Sequence, residues 1–385
     1  MTESQRVQLI NRILDENKSE SDFKKFICEW FYLINEKGQK IQVKELDFHL
    51  LKRENIKEWL AWAFFTETLE SLCEKNILLI EEIIKKIELD KAIKIEEGYN
   101  NSVHSNHLNF SPVEAWNKPF IVYFALNCCE IGGYVIYYFL GFKKCSKKLN
   151  NNTKFSYFYR PVHFPGIGVG VFVYCSFFRN IIRKDDDRPI FIVELPHVSH
   201  QLVSAAEIPN IEETVKLVEL MLKANNYHDA IFIGHSLGSV YSSWMNKYSS
   251  LRCTLILIDP VCFQLYSPDL IFNFLHRPFS NAPQFLLRWI SRELYISHFI
   301  NRHFAWHLNV MFPENLPTGS RVYISLKDSL INAPKVWEYL SSHGINGKAY
   351  ANLDHASFLF DKEAFQEIVD GIVAVSNSFD VIKSD

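Results

Sequence analysis

The spacing of apolar positions divides the chain into three parts. Over residues 1–97 apolar residues recur every three or four positions, in SDFKKFICEWFYLINEKG, IKEWLAWAFFTETLESL and ILLIEEIIKKIELDKAIKI. That period matches one face of an amphipathic helix and predicts a helical N-terminal region. A polar, Asn-rich stretch, GYNNSVHSNHLNFSP, then reads as loop and opens a linker over 98–154. Within the linker, residues 119–142 form the longest apolar run, PFIVYFALNCCEIGGYVIYYFLGF, bounded by Lys118 and by Lys143, Lys144, Lys147 and Lys148. Its length suits a helix that spans a bilayer. Glu130 near its middle opposes that, because a charge there costs about 2.5–3.5 kcal/mol on insertion scales. A helix docked on the rest of the protein, or lying in a membrane interface, is the competing reading.

From residue 155 the pattern changes. YRPVHF, RPIFIVEL, DAIFIGH, CTLILID, RVYISL and KAYANL are short apolar runs that read as strands. TVKLVELMLKANN, SVYSSWMNKY, APKVWEYLSS and KEAFQEIVDGIVAVS read as helices between or after them. This alternation predicts an α/β domain over 155–385, built on a mainly parallel, doubly wound sheet. It breaks once, at 261–317, where LIFNFLHR, APQFLLRWISRELYISHFI and RHFAWHLNVMF intervene between two strands. An insert there falls over the strand C-termini, where open α/β sheets place their sites, so it reads as a helical lid.

The chemistry concentrates on DAIFIGHSLGSVYSSWM. A strand runs into Gly234-His235-Ser236-Leu237-Gly238 and on into a helix, the setting a G-x-S-x-G nucleophile elbow requires. The turn is so sharp that side chains two residues either side of Ser236 would collide, which accounts for Gly234 and Gly238. A serine hydroxyl needs a base to take its proton. On this kind of sheet the order is serine, acid, histidine. RVYISLKDSLIN offers Asp328 after one later strand, and KAYANLDHASFLF offers His355 after the next. His355 is the candidate general base. Asp328 is the leading candidate to orient it, with Asp259, after CTLILI, and Asp354, beside the histidine, as rivals. The Leu237 N–H is one candidate oxyanion donor. The Ile167 N–H is the other, in VHFPGIGVGVFVY, where Gly166, Gly168 and Gly170 let a backbone approach a substrate. That loop lacks the last glycine of a dinucleotide-binding G-x-G-x-x-G. His197 and His200 have no acidic or Cys companion, so they read as pocket lining, and His235 reads as packing. Arg292 and Glu293 read as lid structure. No metal and no cofactor is expected.

Composition narrows the partners. The 385 residues carry a formal charge of −3, which does not suggest a nucleic-acid partner. The 31 Phe and 17 Tyr point to a greasy pocket, a membrane-facing surface or an aromatic core. The eight Cys form no C-x-x-C pair and no zinc-finger spacing with His, and read as buried free thiols of a reducing compartment. The polar, mixed-charge N-terminus lacks the pattern of a signal peptide. The expectation is therefore an intracellular, cytoplasmic protein, with membrane association through 119–142 left open.

With these residues in place, 155–375 resembles the α/β-hydrolase superfamily, of AB-hydrolase-1 type, and more closely a hydrolase-like group of fungal and protist proteins. FPGIGVGVFVY, FIVELPHVSHQL, GHSLGSVYSSWM, LILIDPVCF, RELYISHFINRHFAW and DHASFLFD carry the likeness, and WLAWAFF extends it toward the N-terminus. The resemblance implies a nucleophile at Ser236, an acid at Asp328 and a base at His355. It implies a serine hydrolase acting on a small-molecule or lipid ester. An acyltransferase using the same three residues and a non-catalytic binding protein on the same fold are the alternatives. The sequence departs from the family in having Pro165-Gly166 where His-Gly commonly opens the oxyanion loop, which touches that loop's anchoring.

Overall fold

The computed structural model describes residues 2–381, apart from 36, 38–39, 42–45, 111, 150–153, 160–171, 186–187 and 202–203. The chain forms two compact units. The first comprises Met1–Pro112, Tyr266–Pro268 and Asn301–Leu308, and the second Val113–Leu265, Asp269–Ile300 and Asn309–Asp385.

The first unit contains α1 (Glu3–Glu16), α2 (Glu20–Cys28), β1 (Phe31–Ile34), β2 (Lys40–Ile41), α3 (Arg53–Phe65), α4 (Glu74–Lys91) and β3 (Val103–Ser105). Thr2 and Gln5 form a capping box that starts α1, and the Ser19 hydroxyl accepts the Asp22 N–H at the start of α2. Trp30 lies against Trp62 and Trp59, with ring centroids 5.3 and 6.0 Å apart, and its indole N–H donates to the Tyr266 carbonyl at 3.1 Å. Two expectations change here. Phe31–Ile34 reads as helix in the sequence but is a strand, antiparallel to both β2 and β3. Val103–Ser105 falls in the expected linker yet supplies its partner. Aromatic and β-branched residues accept a strand readily, and a partner some seventy residues away decides between the two states.

The second unit opens with α5 (Phe120–Phe139), β4 (Lys143–Lys148), β5 (Lys154–Tyr159), α6 (Cys175–Lys184) and β6 (Phe191–Val193). β4, β5 and β6 form an antiparallel sheet with β5 in the middle. The lysine-rich 143–148, expected as linker, is thus a strand whose in-register partner supplies its hydrogen bonds. Of the expected strand YRPVHF, only Tyr159 belongs to the described residues. Then follow α7 (Ile211–Lys223), β7 (Asp229–His235), α8 (Gly238–Tyr248) and β8 (Arg252–Ile258). The insert holds α9 (Asp269–Ile271), α10 (Ala282–Ser291), α11 (Leu294–His303) and α12 (Trp306–Asn309), of which Asn301–Leu308 belongs to the first unit, and β9 (Arg321–Ser325), α13 (Ala333–Ser342), β10 (Gly347–Tyr350) and α14 (Lys362–Val381) close the chain. A bridge between Phe263 and Met311 clips the two ends of the insert together.

Strands β10, β9, β8 and β7 form a four-stranded parallel sheet in that order. Side chains alternate across its faces. Ile233, Ile256, Ile258 and Tyr323 join one apolar cluster with Phe177 and Phe178 of α6 and Ile368 and Ile372 of α14. Phe232, Leu255 and Leu257 are fully buried on the other face, where α8 runs back from the turn after β7. Helices on both faces explain why these strands are continuously apolar. The fold is therefore α/β, and the parallel register sends the C-termini of β7, β8, β9 and β10 to one edge.

The cysteines differ from expectation. All eight are free, but only Cys28 and Cys262 are buried, whereas Cys73, Cys128 and Cys129 are exposed. The apolar run that carries Cys128 and Cys129 is the cause, since α5 leaves much of its surface uncovered.

Candidate active site

Ser236 stands between the end of β7 and the start of α8 with a positive φ of 53°. A non-glycine residue holds this conformation only where its surroundings impose it, at a cost of about 1–3 kcal/mol. Three bonds do so. The Ser236 N–H donates to the Ile258 carbonyl at 3.0 Å, extending the sheet one residue further. The Ser236 carbonyl accepts the Ser239 N–H at 2.9 Å and the Ser239 hydroxyl at 2.6 Å. Ser239 in turn accepts the Val261 N–H at 3.1 Å, tying the elbow to the loop after β8. Gly234 is required by contact: a Cβ there would lie 2.6 Å from both the Gly238 carbonyl oxygen and Ser242 Oγ. Leu237 and Gly238 open α8, whose first N–H groups have no intrahelical acceptor and favour negative charge nearby.

The two later strands deliver the partners. Asp328 follows β9 by three residues and His355 follows β10 by five. His355 Nδ1 lies 2.6 Å from Asp328 Oδ2, and His355 Nε2 lies 2.8 Å from Ser236 Oγ. The other Asp328 oxygen accepts the N–H groups of Leu330 at 2.7 Å and Ile331 at 3.3 Å. The Asp328 side chain is wholly out of solvent and that of His355 is 13 % exposed. Burial alone would lower the His355 pKa, but the Asp328 carboxylate, with Asp259 and Asp354 nearby, outweighs it and raises the ring from its ordinary 6.5 to about 9. Nδ1–H donates to Asp328, so in the neutral ring Nε2 accepts the Ser236 proton.

The rival acids have other partners. Asp259 accepts the Ser325 N–H through one oxygen at 2.8 Å and the Ala356 N–H through the other at 2.9 Å. It fastens the end of β8 to β9 and to the loop carrying His355. Its burial raises its pKa, while the nearby His355 charge opposes that. Asp354 Oδ1 accepts the N–H groups of Ser329 at 2.8 Å and His355 at 2.7 Å, joining the two loops. Donor atoms of Asp259, Asp328 and His355 lie within 4.8 Å of one another. Each of these carboxylates is already engaged by backbone N–H groups or the imidazole, which suits a hydrogen-bonded constellation better than a metal centre.

His235 does more than pack. The Tyr174 hydroxyl is hydrogen-bonded to its Nδ1 at 2.6 Å, and its ring lies 5.5 Å from that of His355. His197 is 2.9 Å from the Tyr241 hydroxyl, and His200 stacks on Trp289. Arg292 pairs with Glu114 and donates to the Leu275 carbonyl, while Glu293 accepts the Ile296 N–H. Gly166, Ile167, Gly168 and Gly170, with Pro165 before them, lie outside the described residues. Sequence reasoning missed Tyr174, Ser239 and the bracing by Asp259. Only Ser239, three residues after Ser236 on the first turn of α8, had a local signal.

A cavity of about 560 Å³ lies at the opposite end of β7, lined by Arg188, Phe191, Asp229, Ala230 and Ile231 among others, and contains none of the candidate site residues. The candidate residues lie instead at the carboxyl edge of the sheet, where Ser236 is 7 % exposed.

No protein-family model and no curated protein matches the chain. Solved structures similar to it include lipases and esterases. One is a putative lipase from Acinetobacter baumannii AYE, 14% identical over 65% of this chain and 97% of that one, with a TM-score of 0.45. A second is a membrane phospholipase A described as a bacterial virulence factor, 13% identical over 67% and 94%, with a TM-score of 0.47. A third is a carboxyl esterase from the mycorrhizal fungus Tuber melanosporum, 14% identical over 61% and 85%, with a TM-score of 0.41.

Proposed function

We propose that the chain is a serine hydrolase that cleaves an ester through an acyl-enzyme on Ser236. The observation that carries this reading is the single line of contacts from Asp328 through His355 to Ser236, at 2.6 and 2.8 Å, on the edge where the serine leaves the sheet. His355 Nε2 takes the Ser236 proton as Oγ attacks the ester carbonyl. The Nδ1–H bond to Asp328 fixes the tautomer and stabilises the imidazolium. Negative charge gathers on the carbonyl oxygen beside the Leu237 N–H, at the positive end of α8. The sequence offers the Ile167 N–H, between Gly166 and Gly168, as the second donor. His355 then returns the proton to the departing alkoxide. Water, deprotonated by the same ring, releases the acid and restores Ser236.

The aromatic and aliphatic side chains of the insert motivate an apolar acyl group as the substrate's acid part. A panel of p-nitrophenyl esters of increasing chain length tests the proposal. Turnover should rise from acetate toward longer acyl chains and vanish in Ser236→Ala. Added alcohol acceptors should leave free acid as the main product. Folded wild-type protein that turns over no ester of the panel would sink the hydrolase reading, and dominance of the transesterified product would replace it with acyl transfer.

A further inference from the structure

We propose that α5 is a docking face for an anionic phospholipid surface, lying in the interface rather than crossing it. The inference is independent of the ester chemistry, because it concerns binding alone. At 3.6 residues per turn, Phe120, Phe124, Ile131, Val135 and Tyr138 project within a sector of about 60°. They are exposed, Phe120 to 79 % and Tyr138 to 74 %, and Phe139 beside them to 81 %. On a soluble monomer, single exposed apolar side chains are ordinary, but several on one face of a 20-residue helix, interrupted only by Asn127 and Cys128, mark an interaction surface.

The opposite face of the same helix is committed to the protein. Tyr137 is fully buried and Glu130 is buried beside Gln201, whose amide donates to it at 3.4 Å. The Tyr134 hydroxyl donates to Glu194 at 2.6 Å, and Lys144 pairs with Glu194 at 3.0 Å while covering the Tyr134 ring. A Cβ on Gly133 would meet Phe172 Cα at 3.2 Å. By length and composition this helix could cross a bilayer. Crossing would strip away this face and turn Glu130 toward hydrocarbon, whereas lying flat leaves it in place.

Two features select the partner. At the C-terminal end of α5, Lys143 is exposed and Lys147 half-exposed on one side of β4, which complements anionic headgroups. At the N-terminal end the apolar surface continues onto the insert. Lys118 donates to the Trp289 carbonyl of α10 at 2.7 Å, and Trp116, Phe279 and Phe285 form an exposed cluster with centroids 5.4–6.3 Å apart. The turn Phe172–Tyr174, against Gly133, carries the hydroxyl that holds His235 beside Ser236.

Flotation of the full chain carrying Ser236→Ala, with vesicles of phosphatidylcholine alone or mixed with phosphatidylserine, tests this without lipid turnover. The protein should float with the phosphatidylserine mixture, bind phosphatidylcholine alone weakly, and be released by alkaline carbonate. Phe124→Glu with Phe139→Glu should lower the partition by about 100-fold or more, since two anchoring side chains are lost. Lys143→Glu with Lys147→Glu should weaken it in a salt-sensitive way. Circular dichroism should match across all variants, as the altered side chains are solvent-facing. Failure to float with either vesicle, or equal partition of the Phe→Glu variant, overturns the proposal. So does resistance to carbonate, which means a spanning helix. A dimer that the same glutamates dissociate, without vesicle binding, assigns the face to a second copy of the chain instead.

Discussion

Replacing Asp328 by Asn separates its role from that of Asp259. The amide keeps the size of the side chain and an oxygen able to accept the Leu330 N–H, now bonded at 2.7 Å. It loses the charge that faces His355 Nδ1 at 2.6 Å in a place closed to solvent. Two effects follow. An amide NH₂ set against Nδ1 favours the wrong tautomer, and the equivalent change in a well-characterised serine protease lowers kcat about 10⁴-fold, or about 5.4 kcal/mol of barrier. The carboxylate is also the leading influence that raises His355 to about 9. Without it the ring pKa should move down from about 9, with burial opposed only by Asp259 and Asp354. The assay is the pH profile of kcat/KM on a short ester, beside the NMR titration of the His355 ring. Wild type should gain activity as pH rises toward about 9, because only the neutral ring accepts a proton. The variant should be slower by several orders of magnitude with its ring pKa moved down. A variant within ten-fold of wild type, with an unmoved ring titration, would refute the assignment of Asp328 and return Asp259 to consideration.

Three further outcomes follow from the same contacts. Asp259→Asn should lower stability by about 1–3 kcal/mol, because its NH₂ would face one of two buried N–H donors; thermal melting checks this, and an unchanged Tm contradicts the bracing role. Ser236→Gly should melt higher than Ser236→Ala by about 1 kcal/mol, since glycine accepts the positive φ of 53° without strain. The charged His355–Asp328 pair should contribute stability fully present below about pH 6.5 and lost as pH rises through about 9, because the folded pKa is the raised one. Denaturant melts of wild type and His355→Gln should therefore converge at alkaline pH by about 3 kcal/mol, and a constant gap would contradict it.

The strand–turn–helix around Ser236 was legible because its signal is local. Gly234, Ser236 and Gly238 lie within five residues, and the strand and helix that flank them have distinct apolar periods. The choice among the acids was not. Asp259 and Asp328 both follow apolar parallel strands, and what separates them is which N–H groups converge on each carboxylate, through contacts 27 to 97 residues apart in sequence. The Tyr174–His235 bond is hidden for the same reason, with 61 residues between its partners. Of the fold, the alternation that gives the parallel sheet could be read directly, since buried parallel strands are continuously apolar. Phe31–Ile34 could not, because the same residues suit a helix until Val103–Ser105 pairs with them. The lysines of β4 read as a polar flank, yet β5 binds them in register. For α5, length and a central Glu130 could be read from the residues, and only packing shows that Glu130 turns inward while the phenylalanines turn out.

The central claim is that Ser236 is an activated nucleophile. Treatment of the folded chain with a fluorophosphonate probe, followed by peptide mass spectrometry, tests it most directly. One adduct is expected, on the peptide containing Gly234-His235-Ser236-Leu237-Gly238, absent in Ser236→Ala and strongly slowed in His355→Gln. Folded protein that takes up no probe, or an adduct that persists in Ser236→Ala, contradicts it.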